Sequence, residues 1–140
     1  MVENVTLERC YALYCALPEF DHAEPMDALA RRVGKDYLAL VYSADGHDLG
    51  FKLGYPESDD TFYSWLGGVS PQARGRGVAQ ALLEAQEARV RERGFSRLRV
   101  KSMNRFPAML RLLVRNGYLV EGLTPAADPL WNKIHFVKQL

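Results

Sequence analysis

The hydrophobic positions of this chain change from helical spacing to strand-like runs and back. From about Val5 to Leu17, apolar groups at Leu7, Cys10, Tyr11, Tyr14 and Leu17 recur with a helical period, and Pro18 ends the run. Pro25 suits the first turn of a second, short helix that continues through Val33 and stops at Gly34. Tyr37 to Tyr42 is unbroken apolar sequence and reads as a buried strand. Asp45-Gly46 signals a turn, and a second strand from about Asp48 to Tyr55 completes a hairpin. After the polar turn Pro56 to Asp60, Phe62 to Val69 reads as a third strand, antiparallel to the second.

Arg76 to Arg93 is the longest helical pattern. Val78, Ala81, Leu82, Ala85, Ala88 and Val90 form its apolar stripe, with Glu87 and Arg91 expected as an i,i+4 pair on the other side. Gly94 ends it. The strand Ser96 to Lys101 follows, parallel to the third because a whole helix crosses between them. Pro107 opens a helix that runs to Arg115, Asn116-Gly117 ends it, and Tyr118 to Val120 and Trp131 to Val137 close the chain as paired strands. An antiparallel meander, a β-α-β crossover and a final hairpin share one sheet, an α+β arrangement.

Composition narrows the class. The 140 residues suit one domain over positions 1–140, with 48% apolar and 25% charged residues. A net charge of +1 gives no field that favours nucleic acid or an acidic membrane. The basic residues are local, crowding the span from Arg74 to Lys101, whereas Asp and Glu lie mainly before Asp60. Cys10 and Cys15 have neither disulfide-like nor metal-like spacing, and His22, His47 and His135 are dispersed, so no metal site is expected. No signal peptide or long apolar span is present, and the expected location is cytoplasmic.

The chemistry concentrates in Gly67-Gly68-Val69-Ser70-Pro71-Gln72-Ala73-Arg74-Gly75-Arg76-Gly77-Val78-Ala79. A strand that feeds a helix through such a turn leaves backbone N–H groups free at the positive end of the helix dipole. The turn therefore favours an anion, and Arg74 and Arg76 add to the preference. A Walker-type loop is excluded because no Gly-Lys-Ser/Thr ends it. The dinucleotide pattern starts at Gly75 and Gly77 but has Gln80 in place of its third glycine. It also has basic sequence, Arg97 to Lys101, where an acidic ribose ligand belongs.

Val69-x-Pro71 followed by Arg74, Gly77 and Ala79 resembles the R-x-x-G-x-A/G signature of the GNAT superfamily of acetyl-CoA-dependent N-acetyltransferases. Asn104, then Ala108-Met109-Leu110, then Asn116-Gly117-Tyr118, resembles the second signature of that superfamily. The resemblance implies a GNAT-type fold, a mixed central sheet of six to seven strands with helices on both faces. It also implies that the family's first strand is missing here, since only Met1 to Asn4 precede the first helix. One sheet edge would then be bare and need a covering subunit, hence an expected homodimer.

The resemblance further implies that acetyl-CoA lies between the third strand and the strand after the long helix. Its pyrophosphate would rest on Arg74, Gly75, Arg76, Gly77, Val78 and Ala79, its pantetheine along Val69, and its acyl end on Asn104. Asn104 is equally readable as the N-cap of the helix that Pro107 opens. Gly67-Gly68 suggests a β-bulge that splays the strands. Transfer to an alkylamine calls for a base, for which the turn carboxylates Glu57, Asp59 and Asp60 are candidates, with an ordered water bridging from the backbone or Ser64 as an equal alternative. The family's frequent tyrosine proton donor is replaced by Leu113. The expected function is acetyl transfer to a small-molecule amine. A silent acyl-CoA sensor and a protein N-terminal or lysine acetyltransferase are the alternatives.

Overall fold

The computed structural model describes all of residues 1–140. Its elements, in chain order, are β1 (Val2–Asn4), α1 (Leu7–Ala16), α2 (Met26–Val33), β2 (Leu38–Ala44), β3 (His47–Pro56), β4 (Thr61–Val69), α3 (Val78–Glu92), β5 (Arg97–Met103), α4 (Pro107–Arg115), β6 (Leu119–Thr124) and β7 (Lys133–Gln139). The strands form one seven-stranded sheet in the order β1-β2-β3-β4-β5-β7-β6. Only β4 and β5 run parallel, as the α3 crossover requires. No helix is long and apolar enough to cross a membrane.

Both faces of the sheet are covered, and the apolar run of β2 shows why it needs no polar alternation. Leu38 and Leu40 join the core beneath α3 and α4, with Phe62, Leu82, Leu83, Leu98, Leu112, Leu113 and Phe136. Ala39 and Val41 point the other way, into a second core with Leu7, Cys10, Leu13 and Leu17 of the α1 segment and Leu29 and Val33 of α2. The Thr6 side chain accepts the Arg9 N–H and caps α1, while Pro107 occupies the first turn of α4.

Four expectations need correction. The first strand is present: Val2, Glu3 and Asn4 pair with Tyr42, Val41 and Leu40. Three residues are too few to carry an alternation pattern, so the sequence does not announce them. The apolar edge lies at the other end of the sheet, where Leu119, Val120 and Leu123 of β6 are 69%, 61% and 57% exposed. Glu87 does not pair with Arg91 on a wet face; it is buried beneath α3, where it accepts the Tyr118 hydroxyl at 2.8 Å and binds Lys138 at 3.0 Å. Finally, Gly67 and Gly68 keep regular register with Lys52 and Phe51, and the bulge falls at Trp65, between the pairs Gly54↔Ser64 and Leu53↔Leu66. Gly68 answers a packing need instead, because a Cβ there would lie 2.6 Å from Leu17 Cδ1.

Candidate functional site

The bulge at Trp65 has a direct consequence for the parallel pair. β4 and β5 are in register from Thr61↔Arg97 to Ser64↔Val100 and no further, although β4 continues to Val69 and β5 to Met103. An extra residue bends a strand away from its partner, so the two part after Ser64 and leave a wedge. The turn Ser70 to Gly77 and the first turn of α3 lie at the end of the β4 arm.

That turn is an anion cradle by construction. Gly75 and Gly77 take φ values of +76° and +79°, which side-chain-bearing residues adopt at a cost, and a Cβ on either would project into open space. No backbone or side-chain acceptor takes the N–H groups from Gly75 to Gln80, and Val78, Ala79 and Gln80 begin α3 at its positive end. Arg76 is exposed at the same turn. Arg74 folds back, donating from Nε to the Val69 carbonyl at 3.3 Å and from an Nη to Glu19 at 3.0 Å. The Val69 carbonyl assigned to the pantetheine arm is therefore already bound by Arg74, and a ligand along β4 must share or displace that contact. A reciprocal amide pair, Gln80 with Asn116, fastens the first turn of α3 to the end of α4.

The other sequence-named residues divide. Asn104 lies just past β5, on the second arm of the wedge, and is no N-cap: its amide donates to the Pro129 carbonyl at 3.0 Å, and Phe106 holds the cap position. Ser64 is buried on the α3 face at the point where the strands part. Glu57 and Asp59 sit in the β3–β4 turn, at the closed end of the ladder and away from the wedge. The Glu57 carboxylate is held by Arg99 at 2.6 Å, which also binds Glu121 at 2.7 Å, and Asp59 is exposed. The structure thus brings Ser64, Val69, Arg74 to Ala79 and Asn104 around one wedge and leaves the two carboxylates outside it.

Leu113 is fully buried in the α3–α4 core. Restoring the family tyrosine there inserts a larger ring and a hydroxyl into closed packing. Leu113→Tyr is expected to destabilise the fold by roughly 1–3 kcal/mol, read as a lowered urea midpoint, rather than raise turnover.

The sheet face opposite α3 carries an aromatic group beside the bulge. Tyr63 and Trp65 both meet Tyr55 edge-on, at 5.6 and 6.2 Å between ring centroids. Arg32 stacks on Trp65 at 4.1 Å and donates to the Tyr55 hydroxyl, while Lys101 lies over Tyr63 at 5.4 Å. His135, paired in register with Lys101, is pushed below the usual histidine range by burial and by the nearby Lys101 and Arg99 charges.

A residue that the sequence did not single out lies beneath α3. Lys52 of β3 is buried without an ion-pair partner, its ammonium 3.4 Å from Ser64 Oγ, and burial lowers its pKa to about 8 despite the opposing charge of Glu87. In the unfolded chain the ordinary value is 10.5, so the unfolded state binds more protons between pH 8 and 10.5 and stability rises with pH across that window. Lys52→Met is expected to stabilise the protein at pH 7 by up to about 3 kcal/mol, and the advantage should vanish by about pH 10.5. Urea unfolding at both pH values checks it; an advantage that does not shrink contradicts the burial cost.

The geometry agrees with known proteins. The fold as a whole is that of solved acetyltransferase structures. One is the ribosomal-protein-S18-alanine N-acetyltransferase from Escherichia coli, with a TM-score of 0.83 and 17% identity over 99% of this chain and 92% of that one. Another is a GNAT family acetyltransferase from Elizabethkingia anophelis solved with acetyl-CoA bound, with a TM-score of 0.73 and 13% identity over 100% and 97% of the two chains. The model of the acetyltransferase (GNAT) family matches residues 7–118, and the chain belongs to that family. Acetyl-CoA is the co-substrate of the family. By sequence, a segment of 61 residues is 43% identical to the L-2,4-diaminobutyric acid acetyltransferase of Nocardia farcinica (strain IFM 10152), covering 42% of this chain and 32% of that relative.

Proposed function

We propose that this protein moves an acetyl group from acetyl-CoA to a primary amine of a small molecule. The observation that carries the reading is the wedge after Ser64, with the unpaired N–H groups from Gly75 to Gln80 at its mouth. The pyrophosphate rests on those amides and on Arg76, and Arg74 turns from Glu19 toward it. The pantetheine arm pairs with the free edge of β4 from Trp65 to Val69, as an added strand does. Asn104, from the β5 arm, meets the acyl end. The acceptor enters from the Tyr55–Tyr63–Trp65 face, its nitrogen attacks the thioester carbonyl, and the C–S bond breaks with its electron pair on sulfur. Glu57, engaged by Arg99, and Asp59, at the closed end, are poorly placed as the base, so water relieves the attacking amine of its proton.

A small acceptor fits the named substrate of the Nocardia farcinica relative, although the match spans about a third of that protein. The test is thiol release from acetyl-CoA with a panel of amines: 2,4-diaminobutyrate, lysine, simple diamines and a peptide with a free N-terminus. Release with a small diamine supports the reading, and release with the peptide alone moves it to protein acetylation. Binding of acetyl-CoA without release under any amine favours the sensor reading, which rests on the buried Leu113 and the displaced carboxylates.

The exposed apolar edge of β6 suits pairing with a second copy of the chain. Sedimentation is expected to show a dimer that Val120→Glu converts to monomer; a monomeric wild type contradicts the pairing.

A further inference from the structure

A buried lysine is costly and calls for a reason. The stem of Lys52 runs across Gly67: a Cβ built on that glycine would lie 3.3 Å from Lys52 Cγ and 3.6 Å from Nζ. Any side chain at position 67 would contest the path. The stem crosses there from β3 and delivers the ammonium to Ser64 Oγ, at the last residue of β4 paired with β5. Ser64 and Gly67 bracket the stretch of β4 where the wedge opens. The sequence thus places an N–H donor and a hydroxyl, both buried, at the apex of the wedge. The family's usual donor position is meanwhile occupied by the hydrocarbon Leu113.

We propose that Lys52, acting through the Ser64 hydroxyl, supplies the proton that the departing CoA thiolate takes up. The inference rests on the acetyl-transfer reading above. As the amine nitrogen bonds to the carbonyl carbon, the C–S bond breaks and its pair stays on sulfur. Ser64 Oγ–H gives its proton to that sulfur and regains one from the Lys52 ammonium. The proton lost by the amine leaves to water, which later reprotonates Lys52, so charge and atoms balance over the cycle.

The chemistry is matched. An alkyl thiol titrates at about 8.5, and burial brings Lys52 to about 8, so proton transfer between them is nearly level. The charged group facing Lys52 is Glu87 of α3, which raises its proton affinity; Glu87 in turn holds Lys138 of β7 and the Tyr118 hydroxyl. From β4 the facing polar group is Ser64.

Lys52→Met is the direct test, with the amine that works best in the panel. The expected result is a kcat lower by about 100-fold with the KM for acetyl-CoA little changed. The wild-type alkaline limb, falling through about pH 8, should also be absent from the variant. Unchanged kcat with the same alkaline limb overturns the proposal. A second measurement needs neither acceptor nor variant: the ¹⁵N titration of the Lys52 ammonium in the wild type, with CoA and with CoA lacking its sulfur. A midpoint that moves with CoA alone supports the proposal, and equal midpoints for two bound ligands overturn it. If neither ligand binds by calorimetry, the acetyl-transfer reading falls and takes this inference with it.

Discussion

Gly77→Glu abolishes acetyl-CoA binding and leaves the protein folded. Position 77 precedes α3 with a φ of +79°, so a glutamate there bears a backbone cost of about 1–2 kcal/mol, which the fold can absorb. Its Cβ meets no atom within 4 Å, so the substitution forces no repacking. The carboxylate instead enters the space over the N–H groups from Gly75 to Gln80. It competes for those donors and repels the pyrophosphate, and both effects act where the helix dipole is strongest. Calorimetry should show a loss above about 100-fold, or about 2.7 kcal/mol. Gly77→Asn is the control, since asparagine tolerates this backbone region and brings no charge; it should retain measurable affinity. Equal affinity in the glutamate variant and the wild type would remove the cradle from the account.

The largest stability effect is expected at Glu87. Its carboxylate accepts the Tyr118 hydroxyl at 2.8 Å and both contacts from Lys138, with its side chain 11% exposed. It is also the one charge that favours the buried Lys52 ammonium. Glu87→Ala leaves the Tyr118 phenol and the Lys138 ammonium without their acceptor and takes away the charge that favours the Lys52 ammonium. Removing one partner of such a set costs about 3–5 kcal/mol. Glu87→Gln keeps an acceptor for Tyr118 but loses the charge, so it should fall between the alanine variant and the wild type. Urea midpoints order the three proteins; an alanine variant as stable as the wild type would mean that solvent already screens the set.

The contrast between Glu87 and β2 shows what the sequence can display. A run such as Leu38 to Tyr42 has one economical use, a strand covered on both sides, and Asp45-Gly46 with Pro107 and Gly117 punctuates the chain at the observed boundaries. The free N–H groups of the Gly75 to Gln80 turn are legible for the same local reason, because glycines and arginines between a strand and a helix leave them unspent. Glu87 and Lys52 are not legible. Each is polar, and its surroundings come from distant sequence: β7 brings Lys138 to Glu87, and α3 brings the Glu87 charge to Lys52. The bulge escaped for a related reason. Two glycines at 67 and 68 advertise it, yet their function is to make room for Lys52 and Leu17, and Trp65 takes the extra position. Glu57 and Asp59 looked suitable by charge, and the ladder register alone shows them at the closed end of β4 and β5.

The Gly-Arg turn as the seat of the acyl donor is tested most directly by the amide ¹H–¹⁵N spectrum of the wild type during titration with acetyl-CoA. The account predicts that the N–H signals from Gly75 to Gln80 and along the free edge of β4 from Trp65 to Val69 move together. The signals of Asp59 and Asp60, at the far end of the ladder, should stay in place. Saturable shifts confined to other parts of the chain, with the Gly75 to Gln80 signals unmoved, would contradict it.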